Sequence, residues 1–166
     1  MTLLTYALFT FTAIGAFNAS PPAAYKSVGC DFFGPDNAAK LLGPAFRGED
    51  AGMKETEELK SWGCTFLRTQ DPSERSPKIH FSLKKSVSIE SATKAFAGTR
   101  ESNDKKLGWY EWPGVGDEAI VHSDAPNFHL IMIRKGVKTI SVKVNPADGI
   151  ALSDVKDIMA KLATRL

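Results

Sequence analysis

The sequence predicts an α+β domain, with an antiparallel sheet of about five strands and helices packed mainly on one face. Several short segments alternate apolar and polar residues with a period of two, as half-buried strands do. Stripes of helical period stand between and after them, and hairpin connections outnumber strand–helix–strand crossovers. The chain has 166 residues, and residues 26–166 suffice for one domain with its own core.

The first predicted element is a short helix over residues 37–42, with Asp36 as its N-cap and Gly43 ending it. Residues 44–59 are polar and contain glycines, so they are predicted to form a loop. This segment also holds a cluster of acidic residues beside lysines, which we interpret as a solvated charged run rather than a cation site: Glu55, Glu57 and Glu58.

Two strands are predicted next, over residues 62–66 and 79–83, because apolar residues alternate with polar or small ones in both. Residues 70–77 are predicted to form the turn between them. A helix is then expected to begin at Ser86 or Ser88 and to end near Gly98. Its apolar stripe consists of Ile89, Ala92 and Phe96.

The C-terminal part is predicted to contain a short strand over residues 119–122 and a hairpin. Residues 128–133 are apolar on both faces apart from one histidine, which is typical of a central strand. The turn falls at Lys135-Gly136, and residues 140–144 return. A last helix, capped by Ser153, has one apolar stripe formed by Val155, Ile158, Met159, Leu162 and Leu166.

Residues 1–25 carry no charged side chain, and residues 3–17 are almost wholly apolar. An apolar run of that length is typical of a signal peptide and short for a membrane span, although the usual basic residues before it are missing. We therefore predict a signal peptide or an N-terminal anchor over residues 1–25. In an exported chain the two cysteines most simply pair, so a Cys30–Cys64 disulfide is predicted.

Composition excludes several classes of function. The formal net charge is +2, no run of Lys or Arg exceeds two residues, and no basic-aromatic segment of a nucleic-acid-binding motif is present. The three histidines are scattered, and neither cysteine has a metal-ligand spacing, so no metal site and no cofactor are expected. We expect a periplasmic or secreted protein that acts as a monomer, without nucleic-acid partners and without a membrane span in its mature domain.

Three large aromatic residues, Trp109, Tyr110 and Trp112, crowd one glycine- and proline-containing segment. Exposed aromatics combine apolar area with a polar tip and often contact a partner. We predict a ligand site formed by these three residues with Asp117 and His122. The alternative is that Trp109 and Trp112 fill one edge of the core.

The segment Gly114-Val-Gly-Asp-Glu118 lacks the third glycine of a dinucleotide fingerprint and the Lys-Ser/Thr of a phosphate-binding loop. A tight turn is the simpler interpretation, with Asp117 bonding nearby amides. A hydrolase that uses His122 or His129 with Asp117 or Glu118 is the catalytic alternative.

Four features recur together elsewhere: Cys30-Asp31 before a short helix, Cys64 in a strand, the Gly114–Ala119 segment, and the Lys135-Gly136 hairpin before a closing helix. On these residues the chain resembles exported bacterial proteins of unknown function that include many small actinobacterial lipoproteins. It is more distantly similar to the extracellular sensor domains of bacterial receptor kinases. Lipid anchoring is not implied here, because Ser27 stands where a lipobox has leucine.

The resemblance implies a noncatalytic extracytoplasmic domain that binds or senses a small molecule, an envelope component or a protein partner. A secreted hydrolase and a structural envelope protein are the alternatives.

Overall fold

The structure, a computed structural model, describes residues 28–69 and 76–166, without the side chains of residues 103–107. The predicted leader and most of the predicted turn over residues 70–77 lie outside the described residues. The elements in chain order are α1 (Val28–Phe33), α2 (Pro35–Leu42), β1 (Phe46–Glu55), β2 (Leu59–Arg68), β3 (Lys78–Ser86), α3 (Ile89–Leu107), β4 (Tyr110–Glu111), β5 (Glu118–Asp124), β6 (Phe128–Lys135), β7 (Lys138–Asn145) and α4 (Leu152–Ala163).

The strands of the described part form one sheet in the order β1-β2-β3-β7-β6-β5-β4, and neighbouring strands are antiparallel. The α+β class and the antiparallel sheet are therefore confirmed. The predicted number of about five strands is too low, because the sheet has seven. The two strands that the pattern missed, β1 and β4, are the two edges of the sheet.

Strand β1 lies within the stretch that was predicted to be a loop, so that prediction is wrong. β1 pairs with β2 along its length, with an irregularity between Asp50 and Met53. Only Phe46 of this strand is buried, and the residues from Glu49 onward are exposed. Both faces of this edge strand are mostly exposed to solvent, so its residues do not alternate between apolar and polar. The prediction relied on that alternation and therefore missed the strand.

Three of the four helices within the described residues pack on one face of the sheet, which we call the core face. Side chains of α1, α2 and α4 join the inward residues of the strands in one apolar cluster. Its largest members from the sheet include Phe66, Ile79, Phe81, Ile131, Ile133, Ile140, Val142 and Val144. Helix α3 lies on the opposite face, the α3 face, where Phe96 packs with Ile120 and Met132 in a smaller cluster.

Helix α3 begins as predicted and ends later than predicted. The hydroxyl of Ser88 accepts a hydrogen bond of 3.0 Å from the amide of Ser91, as an N-cap does. The helix continues through Gly98 to Leu107, because one glycine inside a helix costs only about 1 kcal/mol and does not end it. Ile89 is 60% exposed and does not belong to the apolar stripe, which contains Ala92 and Phe96.

Two predicted N-caps are displaced. Gly34 is the N-cap of α2, and Asp36 lies inside its first turn after Pro35, a residue that suits the first helical position. Ala151 is the N-cap of α4, so Ser153 also lies inside the helix. The predicted end of α2 is correct, since the amide of Gly43 donates to the carbonyl oxygen of Ala39.

The predicted disulfide is present. Cys30 of α1 and Cys64 of β2 are bonded, with their Cα atoms 5.0 Å apart. The preceding glycines make this approach possible: a Cβ atom on Gly29 would lie 3.1 Å from the backbone of Gly63. Helix α1 therefore rests directly on the backbone of β2.

The predicted hairpin is present in the last two strands, with its turn one residue later than predicted. β6 and β7 are joined by a two-residue turn, Gly136 and Val137, with Lys135 opposite Lys138. Gly136 has φ of 57°, a backbone conformation that favours glycine at this turn. Of the predicted α4 stripe, Val155, Ile158, Met159 and Leu162 are buried, whereas Leu166 lies beyond the end of the helix and is half-buried.

Candidate functional site

The three aromatic residues of the predicted site do not share one surface. Neighbouring residues of a strand point to opposite faces, and this alternation divides Trp109 from the other two. Trp109 packs on the α3 face, beside the cluster that contains Phe96. Trp112 is partly buried against the main core, and Tyr110 is 44% exposed. The two tryptophans fill opposite faces of the same sheet edge.

Lys156 of α4 links Tyr110 and Trp112 on the core face. Its ammonium nitrogen lies 4.5 Å from the ring centre of Trp112 and 5.9 Å from that of Tyr110. Both distances allow cation–π attraction. Partial burial raises the pKa of the Tyr110 hydroxyl above its ordinary value of 10.0.

The glycine-rich segment after β4 forms a tight turn that docks on the β6–β7 hairpin. Gly116 has φ of 67°, and a Cβ atom there would lie 2.5 Å from the carbonyl oxygen of Arg134. The amide of Asp117 donates to that same carbonyl oxygen at 2.8 Å. The carboxylate of Asp117 in turn accepts from the amide of Gly136 at 2.7 Å. The segment is held by close backbone contacts that only glycine permits.

Arg134 is the residue that fixes this segment, and the sequence interpretation missed it. Its side chain is 8% exposed. The Nη1 atom lies 3.0 Å from the Asp117 carboxylate, and Nε lies 2.6 Å from that of Glu118. A nearly buried guanidinium needs such partners, because an unpaired buried charge is costly. Asp117 and Glu118 therefore serve first as partners of Arg134.

A cleft of about 390 Å³ opens between α3 and the segment before β5. It is lined by Phe96, Ala97 and Arg100 of α3 and by residues 111–120. At its rim, Arg100 and Glu111 form an ion pair of 3.2 Å, and both side chains are well exposed. Trp112 and Asp117 are thus the predicted site residues that line the cleft, whereas Trp109, Tyr110 and His122 do not.

A second hollow of about 260 Å³ lies beside Arg68, Thr69, Ser76 and Pro77. These residues flank the range 70–75, which lies outside the described residues. It lies away from every residue of the predicted site.

His122 belongs to the α3 face of the sheet. Its ring centre lies 5.0 Å from that of Phe128 and 6.1 Å from that of Trp109. It stands four residues along β5 from Glu118, which corresponds to about 13 Å in an extended strand. The structure therefore does not bring His122 to the carboxylates with which it was considered as a catalytic group.

His129 is buried and bonded at both ring nitrogens. Nε2 donates to the carbonyl oxygen of Ile150 at 2.8 Å, because a carbonyl can only accept. With that tautomer the neutral ring accepts at Nδ1 from the hydroxyl of Ser123, also at 2.8 Å. These bonds tie the ends of β5 and β6 to the loop before α4. His129 therefore acts as a satisfied structural group in this arrangement.

Within residues 28–69 and 76–166, no group of three or more His, Cys, Asp or Glu residues is placed to hold a metal ion. No helix in the same ranges has the length and apolar character required to cross a membrane. Comparison with protein-family models and with curated proteins finds no match for this chain. The interpretation of the site consequently depends on its geometry.

Proposed function

We propose that this chain is a noncatalytic extracytoplasmic domain that binds or senses a small molecule in the cleft beside α3. The observation that carries the proposal is the cleft itself. Its volume of about 390 Å³ falls within the range of roughly 300–1,000 Å³ that small-molecule sites occupy. Trp112 and Asp117, which the sequence singled out, line it.

The lining favours a ligand with an apolar body and an acidic group. Its apolar lining residues include Phe96, Trp112 and Val115. Among the described side chains, Arg100 at the rim pairs with the exposed carboxylate of Glu111. A carboxylate on a ligand would compete with Glu111 for the guanidinium and form the bidentate pair that arginine favours. A small aromatic or alicyclic carboxylate is therefore the ligand class that we propose.

The disulfide supports a location outside the cytoplasm. Disulfides form and persist in oxidising compartments and are rare in the cytosol of most organisms. The Cys30–Cys64 disulfide is the feature of this fold whose formation depends on an oxidising compartment.

We do not propose the hydrolase, because a general base must reach the group whose proton it takes. The carboxylates of Asp117 and Glu118 bind Arg134, and His129 is engaged by Ser123 and Ile150. The described contacts thus leave each of the considered catalytic groups in a structural bond or far from its partner.

A ligand screen tests the proposal. Small carboxylates with aromatic or alicyclic bodies, beside their amides as uncharged counterparts, would be screened by thermal shift and tryptophan fluorescence. Arg100→Gln should weaken binding of a carboxylate roughly tenfold and leave an amide unaffected. Lys94→Gln, the same change of charge at an exposed position of α3, is the matched control.

Ala97→Trp should abolish binding by filling the cleft, without unfolding the protein, because Ala97 is exposed. If carboxylates bind equally well to the wild type and to Ala97→Trp, the cleft is not the ligand site. If no small molecule binds, a structural envelope protein becomes the better description.

A further inference from the structure

The half of the α3 face that α3 leaves open carries a continuous row of side chains. The register of the strands places His80, Lys143, Leu130 and His122 side by side across β3, β7, β6 and β5. Phe128 lies beside this row on β6, and Trp109 ends it at the sheet edge. We call these six residues the basic-aromatic strip. His80 is exposed, and the others are half-buried.

The rings and the ammonium group of the strip contact one another in sequence. Lys143 Nζ lies 5.0 Å from the ring centre of Phe128. Phe128 lies 5.0 Å from His122, and His122 lies 6.1 Å from Trp109. Each side chain is thus supported by its neighbour, which reduces the entropy lost when a ligand settles on it.

Positive charge predominates on the two strands at one end of the strip. Strands β3 and β7 contain lysines and a histidine and no Asp or Glu. Two acidic residues lie beside it on the same face: Glu49 pairs with Arg47 at 2.9 Å, and Asp124 accepts from the side-chain amide of Asn127 at 3.0 Å. Partial burial, together with the charges of Lys143 and Lys78, lowers the pKa of His80 below 6.5. The lowered pKa of His80 agrees with an excess of positive charge around it.

Trp109 adds an unused donor. Its indole Nε1 atom is buried and has no hydrogen-bond partner among the described atoms. Buried N–H groups in native structures almost always have a partner, from the protein, from water or from a ligand. The strip therefore offers apolar ring surface and the ammonium group of Lys143 at the same place.

We propose that the basic-aromatic strip binds an acidic polysaccharide. The edges and faces of rings pack against the apolar faces of sugars, while the ammonium group of Lys143 pairs with a carboxylate of the polysaccharide. From His80 to His122 the strip crosses three inter-strand steps, about 14 Å, which suits a short stretch of an extended polymer. The extracytoplasmic location proposed above and the net charge of +2 favour a glycan over nucleic acid as the anionic partner.

Calorimetric titration of the whole chain with oligogalacturonate, a carboxylated oligosaccharide, tests this proposal. Neutral malto-oligosaccharide of equal length and oligothymidylate are the two comparison probes. We expect oligogalacturonate to bind best and to weaken as salt is added, because exposed charges are screened. Lys143→Gln and Phe128→Leu should each weaken it about three- to fivefold.

Lys85→Gln is the matched control, since Lys85 lies on β3 with its side chain toward the other face of the sheet. It should leave binding unchanged, as should Ala97→Trp in the cleft, which separates this site from the proposed small-molecule site. Equal losses in Lys85→Gln and Lys143→Gln would overturn the proposal. So would equal binding of the neutral sugar, no binding of oligogalacturonate, or tighter binding of oligothymidylate.

Discussion

The guanidinium of Arg134, near the end of β6, holds the carboxylate of Asp117 at 3.0 Å across the edge of the sheet. The same carboxylate accepts from the amide of Gly136, so one side chain joins the wall of the cleft to the last hairpin. The shape of the cleft therefore depends on the Arg134–Asp117 ion pair, whether or not a ligand contacts it.

Asp117→Ala should lower the free energy of unfolding by about 1–3 kcal/mol, because Arg134 and the Gly136 amide both lose an acceptor. Chemical denaturation monitored by circular dichroism measures it. Asp148→Ala removes an exposed acid from the loop before α4 and should change stability by less than about 0.5 kcal/mol. Equal stability of the two variants would mean that the ion pair contributes nothing.

Gly116→Ala should be much more damaging than Gly114→Ala, although both glycines have positive φ. A Cβ atom at Gly116 would lie 2.5 Å from a carbonyl oxygen, whereas at Gly114 it would meet nothing within 4 Å. We expect a loss of about 1–2 kcal/mol at Gly114 from backbone strain alone. The loss at Gly116 should exceed about 3 kcal/mol. Thermal melting of both variants decides the point, and similar melting temperatures would contradict the close contact.

Trp112→Ala should lower stability by about 2–4 kcal/mol, because the indole packs on the main core. Tyr110→Ala should cost less than about 1 kcal/mol, since that ring is 44% exposed. Urea titration of each variant, at equal protein concentration, gives the comparison. A large loss at Tyr110 would show that this ring is packed after all.

Removing the disulfide in the Cys30→Ala/Cys64→Ala double variant should lower stability by about 3–4 kcal/mol, because a bridge across 34 residues restricts the unfolded chain. Denaturation with and without reductant measures it. Reductant should destabilise the wild type and leave the variant unchanged, since the sequence has only two cysteines. Insensitivity of the wild type to reductant under denaturing conditions would contradict the bond.

His80 should make the protein less stable in mild acid. Its folded pKa lies below the unfolded value of 6.5, so the unfolded state binds more protons between those two values. Stability therefore falls as the pH drops through this window, and the loss is complete below the folded pKa. Urea denaturation of the wild type and of His80→Gln, between about pH 8 and about pH 5, isolates the effect. Equal slopes in the two proteins would assign the dependence to other groups.

The strands that the sequence predicted correctly are those with one buried face. In these strands every second residue points into the core, as Cys64 and Phe66 do in β2 and Ile79 and Phe81 in β3. The alternation of apolar and polar residues in the sequence therefore predicts which side chains are buried. β1 gives no such signal because its far edge and most of both faces are exposed. β4 spans only two residues, which is too short for any period to be visible.

The site was predicted less well than the fold, for a related reason. Alternation along residues 109–112 would have separated Trp109 from Trp112, but the glycine and proline around them favoured a loop interpretation. The role of Arg134 was out of reach, since its partner Asp117 lies 17 residues earlier and only strand pairing brings them together. Local sequence patterns predict which residues are buried, but they do not predict contacts between residues that are far apart in the sequence.

Because β7 lies beside β3 in the middle of the sheet, the sheet cannot be completed until the last strand of the chain is available. The sheet consists of two up-and-down ribbons, β1 to β3 and β4 to β7, which meet only where the last strand lies beside the third. The disulfide joins helix α1 to the first ribbon, whereas the middle of the sheet is complete only when β7, which ends at residue 145, has paired with β3. A polypeptide that emerges from its amino end can thus be oxidised before it is able to fold completely.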